Sequence, residues 1–428
     1  MKIYNLFPLL AGPFDTWEPH LARAAAMGFD WVFVNPIQQL GHSGSLYSIA
    51  DYFAINQALL RPGSKLSPDD QVRAMAKTAA GLGQSLMIDL VINHCAEDNL
   101  LVRTHPTWFM HEHGRVAHPF CIEENGIKVV WRDLAQFDHQ QALKRPDDPN
   151  GLLAYYVRIV KHLIGLGFRG FRCDAAYQLP TEIWRQLITR IRRDHPDTVF
   201  VAETLGCTPA QTRDTASAGF DAIFNSAKWW DFHGDWLLEQ YEATRHIAPS
   251  IGFPESHDTR RMFEEFEGNA DALRQRYLFT ALFATGIMIP MGFEYGFRKR
   301  LDVVTTVPAD WEQANVDLTE FITQVNAIKD RTPTLCGEGR IDRLEWPDPS
   351  ILVLRKHAIN GSGQVLLILN KDPWNRQRFY TDDLYRLIQS PGPLLDLSPD
   401  WPMQDLPTPF EFWLGPGMAR VLVATAPP

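Results

Sequence analysis

Residues 170–174 (GFRCD) and 199–203 (VFVAE) are two apolar runs that each end on a carboxylate. Short β-rich runs separated by a longer amphipathic stretch are typical of parallel strands joined by helices. In barrels built from such units, the side chains that follow the carboxyl ends of the strands form the active site. The two runs therefore predict a βα fold that places Asp174 and Glu203 on the same face.

Six more runs of the same kind extend this pattern along the chain. The predicted strands cover residues 3–6, 31–35, 86–92, 168–173, 199–202, 222–224, 251–254 and 287–291. Parallel strands in this number, each followed by an amphipathic stretch, predict an α/β fold of the (β/α)8 TIM-barrel type.

Two regions depart from the regular alternation. The spacing after the third strand exceeds what a βα unit needs and includes an Asn125-Gly126 turn signal, so we expect an inserted lobe at about residues 95–150. Beyond about residue 340 the chain has short apolar runs between Gly, Pro, Asn and Asp, which predicts antiparallel β structure. We expect a catalytic barrel at 1–335 and a C-terminal β-sandwich domain at 336–428.

Composition narrows the class of partner. The chain has 428 residues, 45% of them hydrophobic, and a net charge of -10 without a long Lys/Arg run. These values predict a globular protein with a neutral polar substrate, and they argue against nucleic acid and membranes as partners. The first residues lack an export signal and the five cysteines are scattered, so we expect a cytoplasmic protein. The sequence does not indicate the oligomeric state.

Other polar residues also stand at predicted strand ends. Asp89, Asn93 and His94 accompany the third strand, and His257 with Asp258 follows the seventh. Because the strands of a barrel end at one rim, these side chains are expected to converge with those of the fourth and fifth strands. The expected cluster contains several carboxylates, two histidines and an arginine.

Paired carboxylates in such a cluster suit the cleavage of glycosidic bonds. An oxocarbenium-like transition state requires an anion beneath the anomeric carbon and a proton for the departing oxygen, and in retaining enzymes the two carboxyl groups lie about 5 to 5.5 Å apart. Adjacent fourth and fifth strands can supply that separation for Asp174 and Glu203. Arg172 can hold Asp174 ionised through a hydrogen bond, whereas Glu203 has to stay protonated near neutral pH.

These segments resemble the four signature segments of glycoside hydrolase family 13, the α-amylase family. The resemblance rests on residues 89–94, 170–174, 203 and 257–258, and on residues 45–52 upstream. It implies a nucleophile, a general acid/base and a third carboxylate that grips and distorts the sugar, together with substrate-binding residues. On this sequence the catalytic residues are Asp174, Glu203 and Asp258, and the substrate-binding residues are Tyr47, Asp89, His94, Arg172 and His257.

A narrower resemblance points to the branch of the family that contains maltosyltransferases using maltosyl phosphate. It rests on residues 105–109, 218–220, 292–294 and 321–335. Two features differ from that branch: its large N-terminal module is absent here, and His257 is typical of the hydrolases. The Lys-His pair that many amylases carry after the nucleophile is replaced by residues 176–179 (AYQL).

The family resemblance leaves several alternatives open. Asp89 can have a structural role, holding the third strand to Arg172. No cofactor is required, but calcium is possible, since Asn93 matches a position that binds calcium in many relatives. The expected reaction is double displacement on an α-1,4-linked glucan or maltooligosaccharide, ending in hydrolysis, transfer or isomerisation. A maltosyltransferase using maltosyl phosphate and a non-catalytic carbohydrate-binding barrel are the alternatives.

Overall fold

A computed structural model describes residues 1–122, 127–361, 363–390 and 392–424 of the chain. Eight parallel strands close into a barrel, which confirms the predicted fold class. The barrel strands are β1 (Lys2–Leu6), β2 (Trp31–Val34), β3 (Ser85–Leu90), β4 (Gly170–Cys173), β5 (Val199–Ala202), β6 (Ala222–Phe224), β7 (Ser250–Gly252) and β8 (Gly286–Pro290).

One main helix follows each barrel strand and covers the outside of the barrel. These helices are α1 (Glu18–Ala26), α2 (Pro68–Gly81), α3 (Leu152–Leu166), α4 (Thr181–Asp194), α5 (Pro209–Ala216), α6 (Trp236–Thr244), α7 (Ala270–Phe283) and α8 (Thr319–Arg331). Their apolar faces are buried in one large core; in α4, for example, Ile183, Leu187 and Ile191 recur at helical spacing. No helix in the described parts of the chain is long and apolar enough to cross a membrane.

The strands β3, β4 and β5 meet side by side and end close to one level. Arg172 is paired with Asp89 on one side and with Val201 on the other. The last residue of β4, Cys173, is paired with Leu90 and Ala202, the last residues of β3 and β5. The residues that follow these three strands therefore leave the barrel at the same rim.

Side chains that point into the barrel fill it below that rim. This inner cluster contains Ile3, Phe33, Met87, Val201, Phe224, Ile251, Phe253 and Met288. Gly170 lies where β4 passes this cluster, and a Cβ there would come within 2.6 Å of the Trp31 ring. The barrel is thus a packed core, and chemistry is restricted to its carboxyl end.

The long segment between β3 and α3 forms the inserted lobe. Its short strands are His94–Ala96, His111–Glu112, Arg115–Val116, Phe120–Ile122, Lys128–Val130 and Leu134–Gln136, and its helices are Leu100–Thr104 and His139–Lys144. The strand that begins at His94 pairs with the one that ends at Gln136, so the lobe returns to the rim of the barrel. β3 was predicted to reach residue 92 but ends at Leu90, because the chain leaves the barrel there to enter the lobe. Asn125 and Gly126 lie outside the described residues.

An antiparallel β domain follows the barrel, as predicted. A five-stranded sheet contains β9 (Ile341–Leu344), β10 (Ile351–His357), β11 (Gln364–Asn370), β13 (Leu394–Asp396) and β15 (Ala419–Ala424). A two-stranded sheet contains β12 (Gln377–Thr381) and β14 (Phe410–Leu414). Residues of both sheets share a separate core cluster that includes Val353, Ile368, Phe379 and Phe410. The boundary at residue 335 stays a prediction.

The remaining elements are short. A hairpin of Gln38–Leu40 and Ile49–Ile55 follows β2, and short helices span Pro8–Ala11, Met262–Glu265 and Leu384–Ile388. Single 3₁₀ turns lie at Phe14–Thr16, Gln57–Leu59, Pro106–Trp108, Ala176–Gln178, Ala227–Trp229, Phe293–Tyr295, Pro308–Asp310 and Pro333–Cys336.

Candidate active site

The guanidinium of Arg172 lies at the centre of a carboxylate cluster at the carboxyl end of the barrel. Its Nη1 atom donates hydrogen bonds of 2.7 Å to Asp89 Oδ1 and of 2.7 Å to Asp174 Oδ1. Its Nη2 atom lies 3.1 Å from Glu203 Oε2 and 4.0 Å from Asp258 Oδ2. One arginine therefore connects residues of β3, β4 and the loops after β5 and β7.

A single guanidinium cannot neutralise four carboxylates, so the cluster favours proton uptake. Burial raises the pKa of Glu203 to about 8, and the nearby charges of Asp174 and Asp258 add to this effect while Arg172 opposes it. Burial likewise raises the pKa of Asp89 to about 7, against the pull of Arg172. Glu203 is therefore mostly protonated at neutral pH, the state a general acid needs.

The turn after β4 ties the two central carboxylates together. Ala175 has a φ of 43°, in the left-handed region that residues with a side chain seldom occupy. In this conformation its backbone N–H donates a 2.6 Å hydrogen bond to Glu203 Oε2. Strained residues of this kind persist where the surrounding structure fixes them, often at functional sites. The residue after Asp174 thus fixes the position of Glu203.

Tyr47 and His257 form a stacked pair beside this cluster. The two rings are nearly parallel, at 5°, with centroids 5.9 Å apart. The Tyr47 hydroxyl donates a 2.6 Å hydrogen bond to Asp89 Oδ2 and lies 2.7 Å from His257 Nε2. Burial lowers the pKa of His257, so the imidazole is neutral at pH 7. The pair links the loop after β2 to the loop after β7.

Two polar side chains near the end of β3 keep buried atoms unsatisfied by the protein. Both ring nitrogens of His94 and the Oδ1 atom of Asn93 have no hydrogen-bond partner among the described residues. Burial lowers the pKa of His94, so its ring is neutral as well. Buried polar atoms are almost always bonded, and both residues line a cavity at the barrel rim. These atoms are themselves shielded from solvent, so it is other atoms of the two side chains that face the cavity.

This cavity has a volume of about 440 Å³. A site of this size suits a small molecule. Its lining residues are Ser45, Tyr47, Asn93, His94, Trp131, Asp133, Leu134, Asp174, Ala175, Tyr177, Gln178, Glu203, Asp258, Arg300 and Val303. Of the residues predicted for the site, Asp89, Arg172 and His257 lie behind this lining, in contact with the lining residues Tyr47, Asp174 and Asp258 respectively.

Several lining residues were not predicted as part of the site. Trp131 and Asp133 come from the inserted lobe, Tyr177 and Gln178 follow the nucleophile candidate, and Arg300 lies beyond β8. Arg300 Nη2 donates a 2.9 Å hydrogen bond to the backbone oxygen of Asp258. The sequence could have indicated only Tyr177 and Gln178, because they lie close to Asp174 in the chain.

The surroundings of Asn93 do not suit a calcium site. Its Nδ2 atom donates a 2.9 Å hydrogen bond to Gln178 Oε1, so one end of the amide is engaged by the protein. Calcium takes about six to eight oxygen ligands, several of them carboxylates. Among the described residues, no group of three or more His, Cys, Asp or Glu side chains could hold a metal ion. The single free oxygen of Asn93 does not make such a site.

Comparisons with known proteins show which families the chain is similar to. The glucanotransferase domain of glycogen debranching enzyme, as a family model, matches residues 1–112. The α-1,4-glucan:maltose-1-phosphate maltosyltransferase of Burkholderia pseudomallei is 26% identical over 369 residues, covering 83% of this chain and 31% of the relative. Maltosyltransferase 1 of Streptomyces coelicolor is 26% identical over 400 residues, covering 86% of this chain and 56% of the relative. The chain thus spans between a third and somewhat over half of these relatives.

Solved structures with the same fold include α-amylases. The maltogenic α-amylase AmyB of Thermotoga neapolitana superposes with a TM-score of 0.76 at 19% identity, covering 99% of this chain and 98% of that one. The α-amylase of H. orenii gives a TM-score of 0.77 at 15% identity, with 99% of each chain covered. At these identities the likeness extends to the barrel and the C-terminal β domain.

Proposed function

We propose that the chain is a member of glycoside hydrolase family 13, the α-amylase family, near its maltosyltransferases, and that it is a retaining α-1,4-glucan transglycosylase. The observation that carries the proposal is the cluster around Arg172. It combines a carboxylate that accepts a 2.7 Å hydrogen bond from Arg172, Asp174, with a carboxyl whose pKa is raised to about 8, Glu203. Two carboxyls in opposite protonation states are the requirement for double displacement.

In the first step an oxygen of Asp174 attacks the anomeric carbon of the donor sugar. The bond between that carbon and the glycosidic oxygen breaks, and Glu203 gives its proton to the departing oxygen. The product is a glycosyl ester on Asp174, and Glu203 is left as a carboxylate. Arg172 stays 2.7 Å from Asp174 Oδ1 and restrains its orientation toward the sugar.

In the second step Glu203 acts as the base. It takes a proton from the hydroxyl of an acceptor, whose oxygen attacks the anomeric carbon and displaces Asp174. Two inversions at one carbon give net retention. With a sugar acceptor the product is a transferred glucan, and with water it is a hydrolysed one, so the reaction outcome depends on which acceptor the cavity admits.

The remaining polar residues bind the sugar at the cleavage point. Asp258 is half exposed and lies 4.0 Å from Arg172 Nη2, so it can accept hydrogen bonds from sugar hydroxyls. His94 lines the same cavity as Asp174 and Tyr47, so its ring can pack against the bound sugar. Tyr47 presents its ring to the cavity from the stack with His257 and orients Asp89 through its hydroxyl.

A maltosyltransferase that uses maltosyl phosphate is the second candidate. It is favoured by the names of the relatives, which are maltose-1-phosphate maltosyltransferases. The chemistry at Asp174 would be the same, with phosphate as the leaving group in place of a sugar. A non-catalytic barrel that binds carbohydrate is opposed by the presence of Asp174, Glu203 and Asp258 around one arginine. We place the reaction in the cytoplasm, in keeping with the free thiols of Cys95 and Cys173.

The proposal is tested by incubating the protein with maltotetraose, with and without maltosyl phosphate, and separating the products. Chains both longer and shorter than the substrate, formed without phosphate release, support the transglycosylase. Chain growth only with maltosyl phosphate, together with released phosphate, establishes the second candidate instead. The Asp174→Asn variant is the control for contaminating activity. No product under either condition, with a sugar-binding signal retained, would overturn both in favour of the binding barrel.

A further inference from the structure

A second groove, of about 400 Å³, lies between the barrel and the C-terminal domain. Its lining residues are Arg274, Asp317, Glu320, Phe321, Gln324, Pro399, Asp400 and Trp401. Arg274 belongs to α7, residues 317–324 cover the start of α8, and residues 399–401 lie in the loop between β13 and β14. The groove shares no lining residue with the cavity at the barrel rim, so it is a separate site.

Trp401 is the prominent feature of this groove. Its exposed fraction of 77% is the largest of any large apolar side chain in the described parts of the chain. An indole is a large, flat apolar surface with a polar N–H, so beside a groove it can pack against the apolar face of a ligand ring.

The backbone holds Trp401 in this outward position. Its φ of 51° is a left-handed conformation that costs free energy in any residue other than glycine. Arg420 Nη1 donates hydrogen bonds of 3.0 Å and 2.9 Å to the backbone oxygens of Asp400 and Trp401. Arg420 is itself fully buried and paired with Asp396. A buried ion pair thus anchors the loop that presents the indole.

The polar side of the groove favours a neutral hydroxyl-bearing ligand. The guanidinium of Arg274 is already engaged, because it pairs with Asp400 at 2.6 Å and lies 4.0 Å above the Phe321 ring. In the described structure, the hydrogen bonds of Asp317 and Glu320 use only one oxygen of each carboxylate. The other oxygens are acceptors for hydroxyl groups, and their negative charge repels anions.

We propose that this groove is a second binding site for a neutral α-glucan chain, remote from the reacting bond. The apolar face of a glucose ring packs on the Trp401 indole, and its hydroxyls donate to Asp317 and Glu320. The inference rests on the proposed function for the kind of sugar, since the two sites would bind the same polymer. A site of this kind raises the local concentration of long chains without changing the chemistry on short ones.

The test is electrophoresis of the native protein in gels with and without amylopectin, comparing the wild type with Trp401→Gly. Glycine accepts the left-handed backbone at this position, so the variant loses the ring without added strain. We expect the dissociation constant for amylopectin to rise about tenfold, the loss that one aromatic contact accounts for. Turnover of maltotetraose is expected to stay unchanged, while the KM for amylopectin rises at constant kcat.

Binding to amylopectin slows the protein in the gel, and we call this slowing its retardation. Matched variants show whether the retardation depends on the Trp401 ring itself. Trp374→Ala removes another exposed indole of the C-terminal domain, 58% exposed, and is expected to bind amylopectin like the wild type. Trp401→Phe is expected to restore part of the retardation. Equal retardation of the wild type and Trp401→Gly, or no retardation of either, would overturn the proposal. Light scattering measures the oligomeric state of Trp401→Gly. If that state changes while the retardation does not, the indole makes a contact between protein chains, and this result would also overturn the proposal. Turnover of maltotetraose reports separately on the proposed function.

Discussion

Arg172 Nη1 lies 2.7 Å from Oδ1 of Asp174, the residue two positions later in the chain. The same nitrogen lies 2.7 Å from Asp89 Oδ1, so Asp174 is held between the end of its own strand and the neighbouring strand. The Arg172 side chain is only 4% exposed, which keeps water from competing for its donors. The orientation of Asp174 therefore depends on one buried guanidinium, and this dependence can be measured.

Replacing Arg172 by Lys tests whether Asp174 depends on the guanidinium. Lysine keeps the charge but offers one point donor group in place of a planar fork, so it cannot reach Asp89, Asp174 and Glu203 together. We expect kcat for maltotetraose to fall by about 10- to 100-fold, because one charge-assisted hydrogen bond contributes about 1.5–3 kcal/mol. Steady-state kinetics and the thermal midpoint check this. Arg192→Lys, at a half-exposed ion pair with Asp221, is the control. Equal kinetics for Arg172→Lys and the wild type would contradict the role.

The raised pKa of Glu203 predicts how activity depends on pH. The acid must be protonated for the first step, and its pKa is about 8. We therefore expect kcat/KM to be retained at neutral pH and to fall tenfold per pH unit above about 8. The Glu203→Gln variant should lose most of its activity, and the remaining activity should no longer fall as pH rises above 8. A profile that stays flat through pH 9 would show that another group supplies the proton.

The same shift has a consequence for stability. The pKa of Glu203 in the folded chain, about 8, is above the ordinary value of 4.5, so the native state binds a proton that the unfolded state has lost between those two values. The free energy of unfolding therefore decreases as pH rises through this window, by at most about 1.4 kcal/mol per pH unit for this group. In urea melts, Glu203→Gln is expected to gain stability over the wild type as pH rises from 5 to 8. A difference independent of pH would contradict this.

A covalent intermediate on Asp174 is the next prediction. Glu203→Gln cannot activate an acceptor, but an α-maltosyl fluoride donor needs no acid, because fluoride leaves unaided. The variant is therefore expected to accumulate a maltosyl ester, detected by intact mass and located by peptide mapping. Glu203→Gln combined with Asp174→Asn should show no added mass. Asp174→Asn alone should lower kcat roughly 10⁴-fold or more, while Asp214→Asn, at an exposed carboxylate, should not. A label on another residue would refute the assignment.

The strands and the central carboxylates were predictable because both depend on local pattern. Apolar runs of strand length and the polar residues just after them are set by neighbouring positions, and parallel strands necessarily end at one rim. For this reason Asp174 and Glu203, from the ends of β4 and β5, were expected on the same face, and the structure places both beside Arg172.

The other parts of the cavity depend on packing between distant segments. Trp131 comes from the inserted lobe and Arg300 from beyond β8, and no local pattern distinguishes them from surface residues. The stack of Tyr47 on His257 joins positions 210 residues apart. The geometry of this pair is set by how the two loops fold over the barrel. The hydrophobic periodicity of the sequence does not predict such loop packing. The left-handed turn at Ala175 was likewise not foreseeable, since alanine gives no signal for it.

Metal removal is the test for the region around Asn93. Because its amide is engaged by Gln178 and the described chain offers no cluster of metal-ligating side chains, we expect a chelator to leave turnover and the thermal midpoint unchanged. Scanning calorimetry in EDTA and in millimolar calcium measures this directly. A ligand that binds only the folded protein raises the thermal midpoint with its concentration, so a calcium-dependent increase would contradict the expectation.

The Tyr47 hydroxyl provides the last prediction. In Tyr47→Phe the ring can remain beside His257, but Asp89 loses the 2.6 Å hydrogen bond to its Oδ2 atom, and His257 Nε2 loses its 2.7 Å contact with the hydroxyl. Since that bond favours the ionised carboxylate, the pKa of Asp89, about 7, rises further. Asp89 is then protonated near neutral pH, and Arg172 loses one of its carboxylate partners. We expect kcat/KM to fall about tenfold, the equivalent of one hydrogen bond of about 1.4 kcal/mol.

Two comparisons make this prediction specific to Asp89. The loss in Tyr47→Phe should be smaller at pH 9, where Asp89 is ionised even without the tyrosine, than at pH 6.5. Tyr380→Phe, which removes a hydroxyl bonded to Asp382 on the C-terminal domain, should leave the kinetics unchanged at both values. A loss in Tyr47→Phe that is equal at the two pH values would instead mean that the hydroxyl acts through His257 or directly on the sugar. The loss would then persist when Asp89 is replaced by Asn, whereas a path through Asp89 predicts no additional loss in the double variant.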